Sequence, residues 1–329
     1  MTPLLVLSLS FIILLLLGVP ISFCLSVSAM LTTWSMGLPA VMVAQRVAAG
    51  VQSFPLIAIP LFVLAGSIMA KGGVAKRIMD FAYIIVGPFR GGLAMVNCVE
   101  SMFFGGVSGS AIADISSTGP IMIPMMEEKG YEREFATALT ITSAVQGIII
   151  PPSHNMVIFA MSAGGVSVAR LFLAGYFPGI LIGIGLMITS YFVALKRNYP
   201  REERPPLRES LRIAFDGLLS ILAAFIIVGG IAFGIFTATE ASAVAVLYAA
   251  FLGIFVYKEI KIKDLWPLAI ESVKTISSVL FLIGSASAFG WVITYLKIPA
   301  MVTHFFLGLS DSPVIILLLI KVIPYLSCT

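Results

Sequence analysis

Charge is what this sequence of 329 residues lacks most. Charged side chains make up 11% of it, where a soluble domain carries about a quarter. None occurs from Met1 to Gln45, from Phe135 to Ala169, or from Leu171 to Leu195. Each of these runs exceeds the roughly 20 residues that a helix needs to cross a bilayer. With 59% apolar residues and a mean hydropathy of +1.08, the composition excludes a soluble globular domain and implies a multi-span, all-α integral membrane protein. No basic start precedes the first apolar segment and a second follows almost at once, so the first reads as a retained helix, not a cleaved signal. Cysteine is scarce too. Cys24 and Cys98 lie in apolar runs and Cys328 at the end of the sequence. No pair has metal-ligand spacing, so neither a disulfide framework nor a zinc site is expected, and the three read as small apolar side chains. Histidine occurs twice, at 154 and 304, without the partners of a catalytic triad, and Asp114 shows no obvious acidic partner. A membrane-embedded hydrolase or transferase is therefore the remote reading. The net charge of +4 sits in short loops and reports topology, not nucleic-acid binding.

What is present is a series of apolar runs divided by punctuation. Two short helices, about 3–17 and 20–36, flank Gly18-Val19-Pro20. An amphipathic stretch, 39–52, leads to a span over 54–70. Lys71 to Gly92 holds four basic residues against one acid and reads as a helix lying along the cytoplasmic surface. The charged stretch Glu127 to Phe135 must also meet water. Between these two lies 91–128, two apolar legs of about 16 residues, each too short to span, so a re-entrant hairpin is predicted. A span broken at Gly147–Asn155 follows, then one over 168–195. The next loop, Lys196 to Arg212, carries six basic residues against three acids and is cytoplasmic by the positive-inside rule. Counting back from it places the N-terminus outside.

After Arg212 the order of elements repeats: helices at 214–234 and 237–257, a polar amphipathic link, a span over 271–296, and a surface segment opened by Lys297 as Lys71 opens the first. The second copy starts on the opposite side, which makes the repeat inverted. Residues 1–197 form the first copy with its hairpin at 91–128, 198–213 the cytoplasmic linker, and 214–329 an incomplete second copy. At the offset between Lys71 and Lys297, the second copy is expected to close near residue 423, or about 410 if the earlier helices set the offset. Ser312–Leu326 would then be the first leg of an outer hairpin, and the 329 residues, even with every partner present, would bind no substrate and carry no sodium-driven flux.

Irregular backbone inside a membrane survives only where protein buries it or a wet cavity borders it. The hairpin centre, Ser108-Gly109-Ser110, combines two hydroxyls with a residue that lets backbone approach a ligand. The helix leaving it from about Ala111 presents free N–H groups suited to a carboxylate. The break at Gly147–Asn155 frees carbonyls able to hold a small cation. The competing reading is close packing or a mild kink. Asp114 is equally readable as a cap or an ion ligand, and Glu100 as a residue reaching the interface. His154 faces substrate or braces its loop. His304 reads as solvated. Glu240 reads as a first-turn acid below a cap at Thr237 or Thr239.

Four motifs in order, "GGVSGSAIADISSTGPIMIPMM", "IIIPPSHNMVIF", "LFLAGYFPGILIG" and "FTATEASAVAVLYA", resemble the large membrane subunit of tripartite ATP-independent periplasmic (TRAP) transporters, over nearly the whole chain up to about Leu319. The resemblance implies an elevator-type secondary transporter of a bacterial inner membrane. It further implies a sodium-coupled organic-acid importer that uses no other cofactor. Its partners would be a small four-helix membrane subunit and a periplasmic binding protein. Carried over by motif, Ser108, Gly109 and Ser110 would form the inner hairpin tip, and Pro151, Pro152, Ser153 and Asn155 the facing segment of a sodium site. Ser110, Asp114 and His154 are the candidate substrate contacts. Ala238 stands where the family commonly has proline, and His154-Asn155 where it often has Ile-Pro. The alternative reading is an inactive fragment or structural partner of the same transporter.

Overall fold

The structure, a computed structural model, describes residues 2–309 apart from Gly165, Glu203 and Arg204. Among them there is no strand. Fourteen α-helices follow one another: α1 (Pro3–Leu16), α2 (Ile21–Ser35), α3 (Val41–Val51), α4 (Ala58–Lys71), α5 (Val74–Val86), α6 (Gly92–Ser108), α7 (Ala111–Glu128), α8 (Arg133–Ile149), α9 (His154–Ser162), α10 (Val168–Lys196), α11 (Leu207–Ala232), α12 (Ala238–Phe251), α13 (Leu265–Tyr295) and α14 (Ile298–Leu309). The expected outer-hairpin leg at 312–326 and Cys328 lie outside the described residues.

Five of these elements are long and apolar enough to cross a membrane: α4 with the 3₁₀ turn before it, α10, α11, α12 with the π-helical turn after it, and α13. Taking α8 and α9 as one span, bent by 52°, makes a sixth. Phe177, Phe192 and Phe225 on α10 and α11 are exposed, as side chains facing hydrocarbon would be. The expected boundaries hold with three differences. First, α1 and α2, with 14 and 15 residues, rise only about 21–23 Å at 1.5 Å per residue, less than the hydrocarbon thickness. Second, α11 starts at Leu207 rather than 214, because Pro206 at its N-cap and Glu209 in its first turn open the helix before the apolar run begins. Third, α13 starts at Leu265 rather than 271, where Asp264 accepts from the Lys261 N–H at 2.9 Å and turns the link directly into helix.

The chain forms two compact units, residues 1–53 with 277–329, and residues 54–276. In the first, α1 and α2 pair as a hairpin. Aromatic contacts join Phe11 to Phe289 at 5.4 Å and Phe23 to Phe281 at 5.0 Å. Ser26 donates to Ser285 at 2.7 Å, and the Arg46 guanidinium lies 5.3 Å from the Trp291 ring centre. These unit boundaries differ from those of the sequence repeat, because packing here joins the start of the chain to the far half of α13.

The second unit holds two apolar clusters. Met79, Leu93, Met122, Met126 and Tyr199 join α5, α6 and α7 to the end of α10. Ile68, Ile78, Phe104, Ile221 and Leu252 join α4, α5 and α6 to α11 and the turn after α12. The charged segments that flank the hairpin meet the loop after α10 at one end of this unit. Gly91 donates to the Pro200 carbonyl at 3.1 Å and Glu202 to that of Gly87 at 3.3 Å. The Glu202 carboxylate takes Lys129 at 3.0 Å and the Tyr83 hydroxyl at 2.9 Å. Tyr131 and Tyr199 pack ring on ring, 4.1 Å apart, and Arg197 pairs with Glu132. The segments read as facing one side of the membrane are thus physically joined.

Candidate functional site

The hairpin is built as its punctuation requires. α6 ends at Gly109, whose φ of 63° is left-handed and whose N–H donates to the Gly105 carbonyl at 2.7 Å. Ser110 is extended and N-caps α7, accepting from the Ala113 N–H at 3.3 Å. The chain therefore reverses over two residues, Gly109 and Ser110. Asn97 reaches towards Met126 (3.9 Å to the sulfur) and Glu100 towards Thr118 (3.4 Å), so the legs run antiparallel. Pro120 and Pro124 inside α7 leave the carbonyls of Ser116 and Pro120 without helical donors.

The tip meets the second break. α8 stops at Ile149, α9 starts at His154, and Pro151-Pro152 is cis. Gly109 sits against this turn so closely that a Cβ there would lie 3.0 Å from the Pro152 carbonyl and 3.2 Å from the His154 N–H. Below the tip, Gly105 and Gly147 let α6 and α8 touch backbone to backbone. Tyr176 of α10 donates to the Pro151 carbonyl at 3.2 Å. Ser153 is fully buried, and among the described residues neither its hydroxyl nor the buried Nδ1 of His154 has a hydrogen-bond partner. Asn155 is exposed, and no described hydrogen bond joins its side chain to the tip.

Beside the tip lies a cavity of about 450 Å³, walled by α4, the tip, the first turns of α7, and α13. Six hydroxyls line it, from Ser67, Ser108, Ser110, Ser116, Ser117 and Thr275. Lys71 and Glu271 also line it and pair at 2.8 Å, both side chains well exposed. A lysine and a set of hydroxyls beside the N-terminus of a helix can hold an anion that also carries hydroxyl groups.

Of the candidates named from sequence, Ser108, Gly109 and Ser110 come together with Pro151, Pro152 and Ser153. Ser108 and Ser110 also line the cavity. Asp114 and His154 do not line it. Asp114 turns into the hairpin, 1% exposed, and its partner there is Glu100, 0% exposed. Two sequence readings are thereby corrected: Glu100 does not reach the interface, and Asp114 does have an acidic partner. Their separation of fourteen positions conceals the contact, because only the hairpin's register creates it. Lys71 and Glu271 were missed as site residues because they lie 200 positions apart. The available signal was a charged residue at or near the end of each apolar run. Glu240 proves structural: Thr237 caps α12, and the Glu240 carboxylate accepts the Thr237 N–H at 2.8 Å. His304 is exposed, as read.

Residues 8–328 match the family described as tripartite ATP-independent periplasmic transporter, DctM component. The chain is 41% identical to the uncharacterized protein YgiK of Salmonella typhimurium, over 98% of this chain and 74% of that protein. It is 38% identical to the sialic acid TRAP transporter large permease protein SiaM of Vibrio cholerae, over 93% of this chain and 72% of the relative. The 2,3-diketo-L-gulonate TRAP transporter large permease protein YiaN of Escherichia coli is also 38% identical, with the same two coverages.

Proposed function

The chain belongs to the DctM component family of TRAP transporters, a family of permeases and not of enzymes, and from that premise we propose that it is the substrate-translocating membrane subunit of a sodium-coupled organic-acid importer. The observation that carries this reading is the apposition of two helix breaks beside a hydroxyl-lined cavity. Discontinuous helices that meet within a bundle are how secondary transporters expose backbone groups to a substrate and its coupling ion.

The sodium ion fits the seam between the breaks. Ser108 and Ser110 bring hydroxyls, the Pro152 carbonyl lies against Gly109, and the buried Ser153 hydroxyl has no partner among the described residues. These are hard oxygen donors of the kind a small cation takes. The substrate fits the cavity. Lys71 supplies the positive charge, the first turn of α7 adds N–H groups, and the hydroxyls match an acid with several oxygen substituents. The acids named for SiaM and YiaN are of that kind. Which acid this chain carries is a matter for its binding protein, because the cavity offers general anion and hydroxyl chemistry. The partners in this reading are a small four-helix membrane subunit and a periplasmic binding protein. The membrane is a bacterial inner membrane, with the joined charged segments cytoplasmic and the N-terminus periplasmic.

The test is uptake into vesicles that contain both partners and the chain extended to the length of its relatives, of which these residues cover 72–74%. Uptake should require an inward sodium gradient. Ser110→Ala should raise the sodium concentration for half-maximal uptake while membrane insertion stays intact. Unchanged sodium dependence in that variant would remove the tip from the ion site, and uptake without sodium would remove the coupling altogether.

A further inference from the structure

Inside the hairpin, away from the cavity, the count of hydrogen atoms does not close. The Thr118 hydroxyl has one hydrogen and three acceptors within reach: the Asp114 carbonyl at 2.8 Å, Asp114 Oδ1 at 2.8 Å and Glu100 Oε1 at 3.4 Å. Donation to one of them sets the hydroxyl's lone pairs against those of the other two. On the far side of the two carboxyl groups, Glu100 Oε2 and Asp114 Oδ2 are both buried, and neither has a hydrogen-bond partner among the described residues. The Thr118 hydroxyl thus brings the two carboxyl groups into one buried pocket. Two bare carboxylates cannot satisfy each other there, because both are acceptors only. The Ser101 hydroxyl, the other donor beside Asp114, has one hydrogen and also lies 3.2 Å from that of Ser143, so the set is short of a hydrogen.

We infer that Glu100 binds a proton and donates it to an ionised Asp114, so that the hairpin carries one buried negative charge and not two. The position of each group on its helix decides which of them holds the proton. Asp114 lies in the first turn of α7, where the helix dipole and the free N–H groups favour an anion. Glu100 lies in mid-helix on α6, half-way along its 17 residues, where no dipole end supports a charge. Among the described residues no cation offsets it, and Asp114 is the charged group acting on it. The neighbouring buried polar side chains are neutral: Asn97 and Ser101 on α6, and Thr140, Ser143 and Gln146 on α8. The result is a proton site two helical turns behind the tip. It leaves a single fixed charge at the root of α7, and it stands whether or not the chain carries sodium.

The test does not need transport. In purified chain held in lipid nanodiscs at neutral pH, the infrared C=O stretch of a protonated carboxylic acid should be present and should shift in D₂O. Glu100→Gln should remove it and Asp114→Asn should not. Its absence from the unmodified chain would overturn the proposal. So would a band removed by Asp114→Asn and kept in Glu100→Gln. A thermal-unfolding cycle gives an independent reading. Glu100→Gln, which can still donate, should unfold near the unmodified chain. Glu100→Leu should unfold earlier, and adding Asp114→Leu should recover part of that loss. Purely additive losses would show that the two groups do not share a hydrogen.

Discussion

Helices α7 and α12 open with nearly the same chemistry and end in opposite situations. Each starts with a hydroxyl N-cap, Ser110 in one and Thr237 in the other, with an acid three or four residues further on. At α12 the acid closes the motif on itself. Glu240 returns to the Thr237 N–H at 2.8 Å, the Thr237 hydroxyl takes the Glu240 N–H at 3.3 Å, and the pair sits in the open. At α7 the cap holds, but Asp114 turns inward to Glu100, and the second-turn hydroxyls Ser116 and Ser117 border a cavity. A capped helix start whose polar groups are mutually satisfied has nothing left for a ligand. A start that faces a second chain break and keeps groups unpaired has spare donors and acceptors.

Substitutions can break or sharpen that contrast. The largest effect is expected from Gly109→Val, since its left-handed φ and its contact with the Pro152 carbonyl both exclude a β-branched residue. Uptake should be lost while insertion, read from the yield of membrane-bound protein, persists. Lys71→Met should follow. It removes the cation of the cavity, and losing a hydrogen bond to a charged group, at about 1.5–3 kcal/mol, would weaken the acid's half-saturation about tenfold or more. Thr237→Ala should leave uptake alone and lower stability by about 1 kcal/mol, measured by thermal unfolding. A loss of transport there would mean that the start of α12 is not merely structural, and the contrast would fail. The smallest effect is expected from Glu240→Gln. It keeps the shape and loses only the charge, whose interaction with the helix dipole in an exposed first turn is screened by solvent, so the thermal-unfolding midpoint should shift less than in Thr237→Ala.

The sequence conveyed the helices well, because apolar runs and their Gly, Pro and charged boundaries are local features. The tip, the break at Ile150–Ser153 and the cap at Thr237 were all legible for the same reason: each is written in consecutive residues. The site was only half legible. Ser108 to Ser110 and Pro151 to Ser153 stand out as polar punctuation within apolar runs. Lys71 with Glu271, and Glu100 with Asp114, do not. An acid in an apolar helix reads the same whether it faces solvent, lipid or another acid. Only the packing of α6 on α7, with its register fixed at Gly109, decides which. The early starts of α11 and α13 were missed because their first turns are polar, and a hydropathy boundary marks where the apolar run begins and not where the helix does.

The fastening at the base of the hairpin bears on how the protein is made. The turn entering α6 and the turn leaving α7 are held by Pro200, Tyr199 and Glu202, residues that leave the ribosome more than 70 positions after the hairpin does. Until α10 has been synthesised and its trailing loop has folded back, the two short legs have no clasp. Through that interval they carry two acids, Glu100 and Asp114, and two prolines that weaken the second leg. The hairpin should therefore be completed late in biogenesis, once Glu202 has left the ribosome. A ribosome-bound chain that still holds Glu202 in the exit tunnel should keep 91–128 in a protease-accessible state, and one long enough to release it should protect it.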